Sequence, residues 1–229
     1  MSRRRWPIGS AGAIWHGALL ALLLPIVAIA LFMLLGPYLP TPDSHSRDGS
    51  LGAFMREFLK AGLGVGVFIG VCLLAVGRLR WRDLGWCSCS GRDVLRGLIG
   101  FALTVAAFLA IILVATDMTM ADVWAYQRGV SASERLQFVL IGVSASLTEE
   151  SLFRGYLQPS LCKRLGPATG VGLTALLFSL MHLPTNLVSF VGRLVLGLGM
   201  GVTRGAAPHA SIWPSAIVHT LIWIVLGTM

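Results

Sequence analysis

The sequence predicts an all-α protein: a polytopic transmembrane helical bundle of about seven spans, with six to eight compatible with the same pattern. Three observations carry this. Of 229 residues, 55% are apolar and only 12% are charged, whereas soluble domains carry about 25% charged residues; mean hydropathy is +0.79. The apolar residues gather into runs long enough to cross a bilayer as helices. Lys and Arg sit mostly in the short loops between those runs, the bias of cytoplasmic loops. The net charge of +8 could suit nucleic acid. No Gly-rich phosphate loop, zinc-finger spacing or aromatic RNA motif accompanies it, so no nucleic-acid partner is expected.

Arg3, Arg4 and Arg5 precede an apolar run from Ala13 to Gly36, interrupted by His16 and Pro25. A signal peptide has the same start, and Ala28-Ile29-Ala30 resembles a cleavage site. The length of the run, about 24 residues, favours an uncleaved first span. A polar loop (37–50) leads to a second span from about Phe54 to Gly77, in which Gly62, Gly66 and Gly70 form a small-residue ridge for close helix approach. Arg78, Arg80, Arg82, Arg92 and Arg96 follow. Leu95 to Ala115 is the third span, and 116–135 reads as a mixed-charge loop. The fourth span carries Glu149, Glu150 and Arg154 and ends near Gln158 and Pro159. Ala168 to Leu183 is a short fifth span broken by Pro184. The sixth (187–203) has a second ridge at Gly197, Gly201 and Gly205, and an intramembrane cation, Arg193, without an evident partner. The last begins near Ile212. Residues 1–135 are thus N-terminal spans and loops, and 136–229 a core, in one continuous bundle.

With seven spans and the N-terminus inside, eleven basic residues fall in cytoplasmic segments (Arg3, Arg4, Arg5, Arg78, Arg80, Arg82, Arg92, Arg96, Lys163, Arg164, Arg204) and five outside (Arg47, Arg56, Lys60, Arg128, Arg135). This favours N-in, C-out, for a multi-pass integral protein expected in the bacterial inner (cytoplasmic) membrane. Of four cysteines, Cys72 and Cys162 read as small core residues. Cys87 and Cys89 lie in a cytoplasmic loop where thiols stay reduced, and two cysteines fall short of the usual four zinc ligands.

A helix over 136–161 would be about 39 Å long and would bring Glu149 and Glu150 near mid-membrane. Each ionisable group there costs about 2.5–3.5 kcal/mol. Glu150 and Arg154, four apart, can pair on one face. Glu149 is turned about 100° away, which leaves it free for chemistry. A lone histidine in an apolar helix is commonly a packed core residue. Here, however, rise per residue puts Glu149 about 18 Å, His182 about 21 Å and His219 about 12 Å from the inner face, within one layer given uncertain helix ends. A carboxylate and two imidazoles together can activate water, bind metal or steady an oxyanion. There is no H-E-x-x-H and no G-x-S-x-G.

Three segments, E-E-S-L-F-R-G-Y-L-Q (149–158), F-S-L-M-H (178–182) and S-I-W-P-S-A-I-V-H (211–219), resemble the CPBP (Abi, CAAX-protease-and-bacteriocin-processing) intramembrane endopeptidases, relatives of the type II CAAX prenyl endopeptidase. The resemblance covers about 136–225. It implies Glu149 as general base on the attacking water, with Glu150 and Arg154 holding the helix. It further implies His182 orienting that water, His219 stabilising the oxyanion or acting as a ligand, and Phe178 packing. The family is described both as metal-dependent and as glutamic. Zn²⁺ would take His182, His219 and Glu149, but Glu149 would then be both ligand and base, which favours the glutamic alternative.

One position departs from the family pattern: Trp223 stands where the family has Asn or Asp. Either the activity is reduced, or Asn186, one helical turn past His182, or the Trp223 indole replaces the lost donor. The expected partners are a membrane-associated peptide or protein substrate and the lipid bilayer; the oligomeric state is open. A non-catalytic protein of the same fold, binding a sensor kinase or a bacteriocin-related peptide, is the alternative, with Trp223 its best support. A transporter would fit the intramembrane charges but lacks an inverted repeat.

Overall fold

The computed structural model describes residues 7–35, 64–207 and 210–226. Arg3 to Arg5, the loop 37–50, Gly62, Arg47, Arg56, Lys60 and the expected start of the second span lie outside the described residues. Among the described residues every regular element is a helix. α1 (Ala11–Leu35) starts where the Ser10 hydroxyl accepts a hydrogen bond from the Ala13 N–H at 3.0 Å. α2 (Gly64–Gly70) runs on as a π-helical stretch, Val71–Val76, and a 3₁₀ turn follows at Trp81–Leu84.

Capping boxes open the next three helices. In α3 (Gly91–Ala115) the Ser90 hydroxyl accepts from the Asp93 N–H at 3.2 Å, while the Asp93 carboxylate accepts from the Ser90 N–H at 2.9 Å. Thr119 with Asp122 opens α4 (Met120–Gly129), and Ser131 with Glu134 opens α5 (Ala132–Ala145) in the same way. Each box satisfies backbone donors that a helix start leaves orphaned. The expected loop 116–135 therefore holds a helix, α4; the T-x-x-D start signal outweighs its mixed charge.

The chain from α5 continues without a break as a π-helix, Ser146–Leu157, then as α6 (Gln158–Leu165). α7 (Pro167–Met181), α8 (Leu187–Arg204) and α9 (Trp213–Leu226) complete the order. α3 and α8 are long and apolar enough to cross a membrane by length and composition, and α7 and α9 are shorter apolar helices. α9 packs against α3, α5 and α8, and α7 lies between α6 and α8. α1 and α2 both lie against the π-helix.

The two glycine ridges differ. A Cβ at Gly197 would stand 3.1 Å from the Ala175 Cα, and one at Gly201 would stand 3.0 Å from Val171 and from Gln158, so the second ridge seats α8 on its neighbours. In the first ridge Gly66 faces the Thr148 hydroxyl, but Gly70 faces open space.

Three tryptophans tie the basic loop to the start of α9. Trp86 meets Trp81 and Trp213 edge-on at 6.5 and 5.0 Å, and the Trp213 indole N–H donates to the Cys87 carbonyl at 2.6 Å. Cys87 and Cys89 are exposed and Cys162 is buried, as expected; Cys72 is half-buried. Arg204 does not sit in a solvated cytoplasmic loop. It is fully buried and donates to the carbonyls of Gly205 (3.1 Å) and Ala207 (2.8 Å) just past its own helix.

Candidate active site

The π-helix carries both carboxylates. The Thr148 hydroxyl donates to the Ser144 carbonyl at 2.9 Å, and the Ser151 hydroxyl donates to the Leu147 carbonyl. Bonds of this kind also occur in the regular helices α3, α7 and α8, at Thr104, Thr174 and Thr203, so they accompany the π geometry without explaining it. A π turn carries more residues than an α turn, so neighbouring side chains diverge less than the α-helical expectation. Glu149 and Glu150 consequently reach the same imidazole from its two sides.

Glu150 is fully buried, and its Oε1 accepts from Arg154 Nη1 at 3.1 Å and from His219 Nδ1 at 3.0 Å. The expected Glu150–Arg154 pair is present. The bond to His219 adds a function that spacing alone did not reveal: Glu150 orients the imidazole. Arg154 is equally buried, and its Nη2 donates to the Gly197 carbonyl at 2.9 Å. Its guanidinium carbon lies 4.5 Å from the centre of the Phe178 ring, close enough for cation–π attraction. Phe178 in turn stands against His182 (4.6 Å between centroids) and His219 (6.0 Å), so its packing role covers the whole site.

Glu149 is the more open acid, with 17% of its side chain exposed. Its Oε2 lies 3.8 Å from His182 Nε2 and 3.9 Å from His219 Nε2 and has no hydrogen-bond partner in the protein. The other nitrogen of each ring is held: His182 Nδ1 by the Phe178 carbonyl at 2.8 Å, His219 Nδ1 by Glu150. A carbonyl and a carboxylate paired with Arg154 can only accept here, so each Nδ1 carries a proton and each Nε2 faces Glu149.

Helix α9 brings His219 to this point through the Ser146 hydroxyl, which lies 2.8 Å from the Thr220 hydroxyl and 3.2 Å from the Ala216 carbonyl. Gly142 permits the approach, since a Cβ there would meet Trp223 Cβ at 2.9 Å.

α7 ends at Met181, so His182 caps it rather than lying inside a span. Leu183 follows with φ +48°, a left-handed turn just before Pro184, where helical backbone is disfavoured. Asn186 therefore does not sit one helical turn past His182. It is the N-cap of α8, its side-chain oxygen accepting from the Ser189 N–H at 2.8 Å.

Beside the trio opens a cavity of about 580 Å³, lined by Phe108 and Ile112 of α3, by His182, Asn186 and Arg193, and by His219 and Trp223 of α9. The Arg193 guanidinium has a partner after all: its Nη1 donates to the His182 carbonyl at 3.1 Å.

The ligand set that the family resemblance offers for a metal is the same three. Ligands sharing one tetrahedral zinc stand about 3.3 Å apart at Zn–N and Zn–O lengths near 2.0–2.1 Å, closer than the 3.8 and 3.9 Å seen here. Among the described residues no group of three or more His, Cys, Asp or Glu is placed to hold a metal ion.

The family model described as type II CAAX prenyl endopeptidase Rce1-like matches residues 131–225. No curated protein and no solved structure matches the chain. Glu149, Glu150, Arg154, Phe178, His182, His219 and Trp223 all fall inside the matched segment, while α1 to α4 precede it. Through residues 131–225 the chain is thus similar to the type II CAAX prenyl endopeptidase Rce1-like family.

Proposed function

We propose that the protein is an intramembrane endopeptidase that hydrolyses a peptide bond of a membrane-associated protein or peptide, with water activated by Glu149. The observation that carries this is the unpaired Oε2 of Glu149, set between two imidazole Nε2 atoms whose Nδ1 positions are fixed. The membrane-embedded family and the apolar helices α3 and α8 support a membrane-associated substrate. The protein crosses the membrane about seven times, N-in and C-out, in the bacterial inner membrane; the distribution of basic residues supports this.

Water between these groups donates a hydrogen bond to Glu149 Oε2 and another to the lone pair of His182 Nε2. As its oxygen attacks the scissile carbonyl carbon, Glu149 takes the proton. A His219 imidazolium, anchored by Glu150 through Nδ1, would donate from Nε2 to the developing oxyanion. Glu149 then returns its proton to the leaving amine as the C–N bond breaks. The products are a new carboxyl terminus and a free amine.

A bound zinc ion would be held by His182 Nε2, His219 Nε2 and Glu149, and would supply Lewis-acid activation of water. A Glu149 bound to zinc would not be free to act as base, so the glutamic mechanism is the favoured one. Trp223, which brings an indole to the cavity wall where the family has Asn or Asp, favours the second reading: a non-catalytic protein that binds a sensor kinase or a bacteriocin-related peptide. Incubating the purified protein with a library of membrane peptides, with and without chelator, separates these readings. Cleavage that survives chelation and is lost in Glu149→Gln supports the proposal; binding without cleavage in the wild type sinks it.

A further inference from the structure

We propose that Arg193 forms a carboxylate-binding subsite in the cavity beside Glu149, taking a peptide carboxylate at the chain end or on an Asp or Glu side chain. The inference rests on the peptidase reading for its substrate class, but on different residues.

The three arginines packed around the core are used differently. Arg154 is neutralised by Glu150, and Arg204 caps carbonyls past the end of α8. Among the described residues Arg193 makes one hydrogen bond, from Nη1 to the His182 carbonyl, and has no carboxylate partner. A guanidinium has five N–H donors in a planar fork that matches a carboxylate; one is used by the His182 carbonyl, and Arg193 lines the cavity.

The surroundings have the same sign. Among the described residues no Asp or Glu lines the cavity. The N-terminal turn of α8, capped by Asn186, opens onto it and brings the positive end of the helix. The remaining wall is largely apolar, with Phe108, Ile112, Leu196, Met200 and Ile222. That lining suits an apolar peptide carrying one acid better than a sugar phosphate. Arg193 touches the backbone of His182, whose ring faces Glu149 at 3.8 Å, so a few residues of extended peptide reach from one group to the other.

The test is binding to the full-length Glu149→Gln protein in nanodiscs, which holds peptide without cleaving it. The probe is a labelled peptide of Ala, Leu and Val in three forms: free C-terminal acid, C-terminal amide, and amide with one internal Glu. The free acid or the Glu-bearing amide should bind about tenfold to hundredfold tighter than the plain amide, the range of a charge-assisted pair. Whichever form gains identifies the source of the carboxylate.

Adding Arg193→Gln should erase the preference, and Arg193→Lys should restore part of it, with melting temperatures checked to exclude unfolding. Equal binding of all three forms, no binding of any, or a preference that survives Arg193→Gln overturns the subsite. An equal fall in wild-type kcat for acid and amide peptides on Arg193→Gln, without change in KM, also overturns it. Arg193-dependent acid preference in a wild type that cleaves nothing keeps the subsite and removes the peptidase reading.

Discussion

Glu149 and Glu150 are adjacent in sequence and opposite in surroundings, and that contrast sets their expected behaviour. Glu150 is fully buried, with Arg154 and His219 both bonded to one of its oxygens. Removing one partner of such a pair leaves an uncompensated charge and costs about 3–5 kcal/mol. Glu150→Gln and Arg154→Ala should therefore lower the melting temperature in detergent sharply, whereas Glu149→Gln should melt like the wild type. Equal destabilisation by the Glu149 and Glu150 changes would refute the division. Asn186 and Trp223 separate in the same manner. Asn186 is a helix cap, so Asn186→Ala should cost about 1 kcal/mol of stability and leave kcat almost unchanged. Trp223 lines the cavity with His219. Trp223→Asn should raise kcat, though by less than the 10²–10³-fold that one oxyanion donor can contribute. No change in kcat would mean that the indole or His219 alone already serves.

Most helices could be read from apolar runs and punctuated ends, and their limits fall close to those expected. The pairing of Glu150 with Arg154 was legible because i,i+4 contact is a local rule. The bond from Glu150 to His219 was not, since it joins residues 69 apart through the packing of α9 on the π-helix. The π-helix itself was hidden because its apolar run and its hydroxyl bonds to carbonyls four residues back are shared with the regular helices. The break after Met181 moved Asn186 out of its expected place, and only the backbone reveals this. α4 was missed although its T-x-x-D signal was present. Its Asp122 carboxyl sits below the usual carboxylate range, mainly because the Thr119 hydroxyl and then the Thr119 N–H bond to the charged form. A depressed folded value means the contribution is full above the unfolded value and is lost as pH falls through the folded one. Amide protection of 120–129 should thus hold at about pH 5 and fall only below the ordinary carboxylate range; loss of protection already near pH 5 would argue against the cap. The glycine ridges give a paired expectation. Gly197→Val should destabilise by pushing into Ala175, while Gly70→Ala, facing open space, should be tolerated.

Across the whole molecule, the balance of eleven basic residues against five predicts Ser46 outside and Gly91 inside. Reporter fusions at these two positions should read on opposite sides; the same side for both would break the seven-span count. The burial of Arg204 takes one residue out of the inner set without reversing its excess. The short apolar helix α7 ends just before His182, while α9 starts at Trp213 of the tryptophan cluster and carries His219 within it. The claim on which the rest depends is that Glu149 is the base. Its most direct test is the cleavage rate of one membrane peptide by wild-type and Glu149→Gln protein of matched melting temperature, after chelation. A fall of at least about 10²-fold in the variant, the usual worth of a general base, with wild-type activity unaffected by chelator, is the predicted result; undiminished cleavage by Glu149→Gln would contradict it.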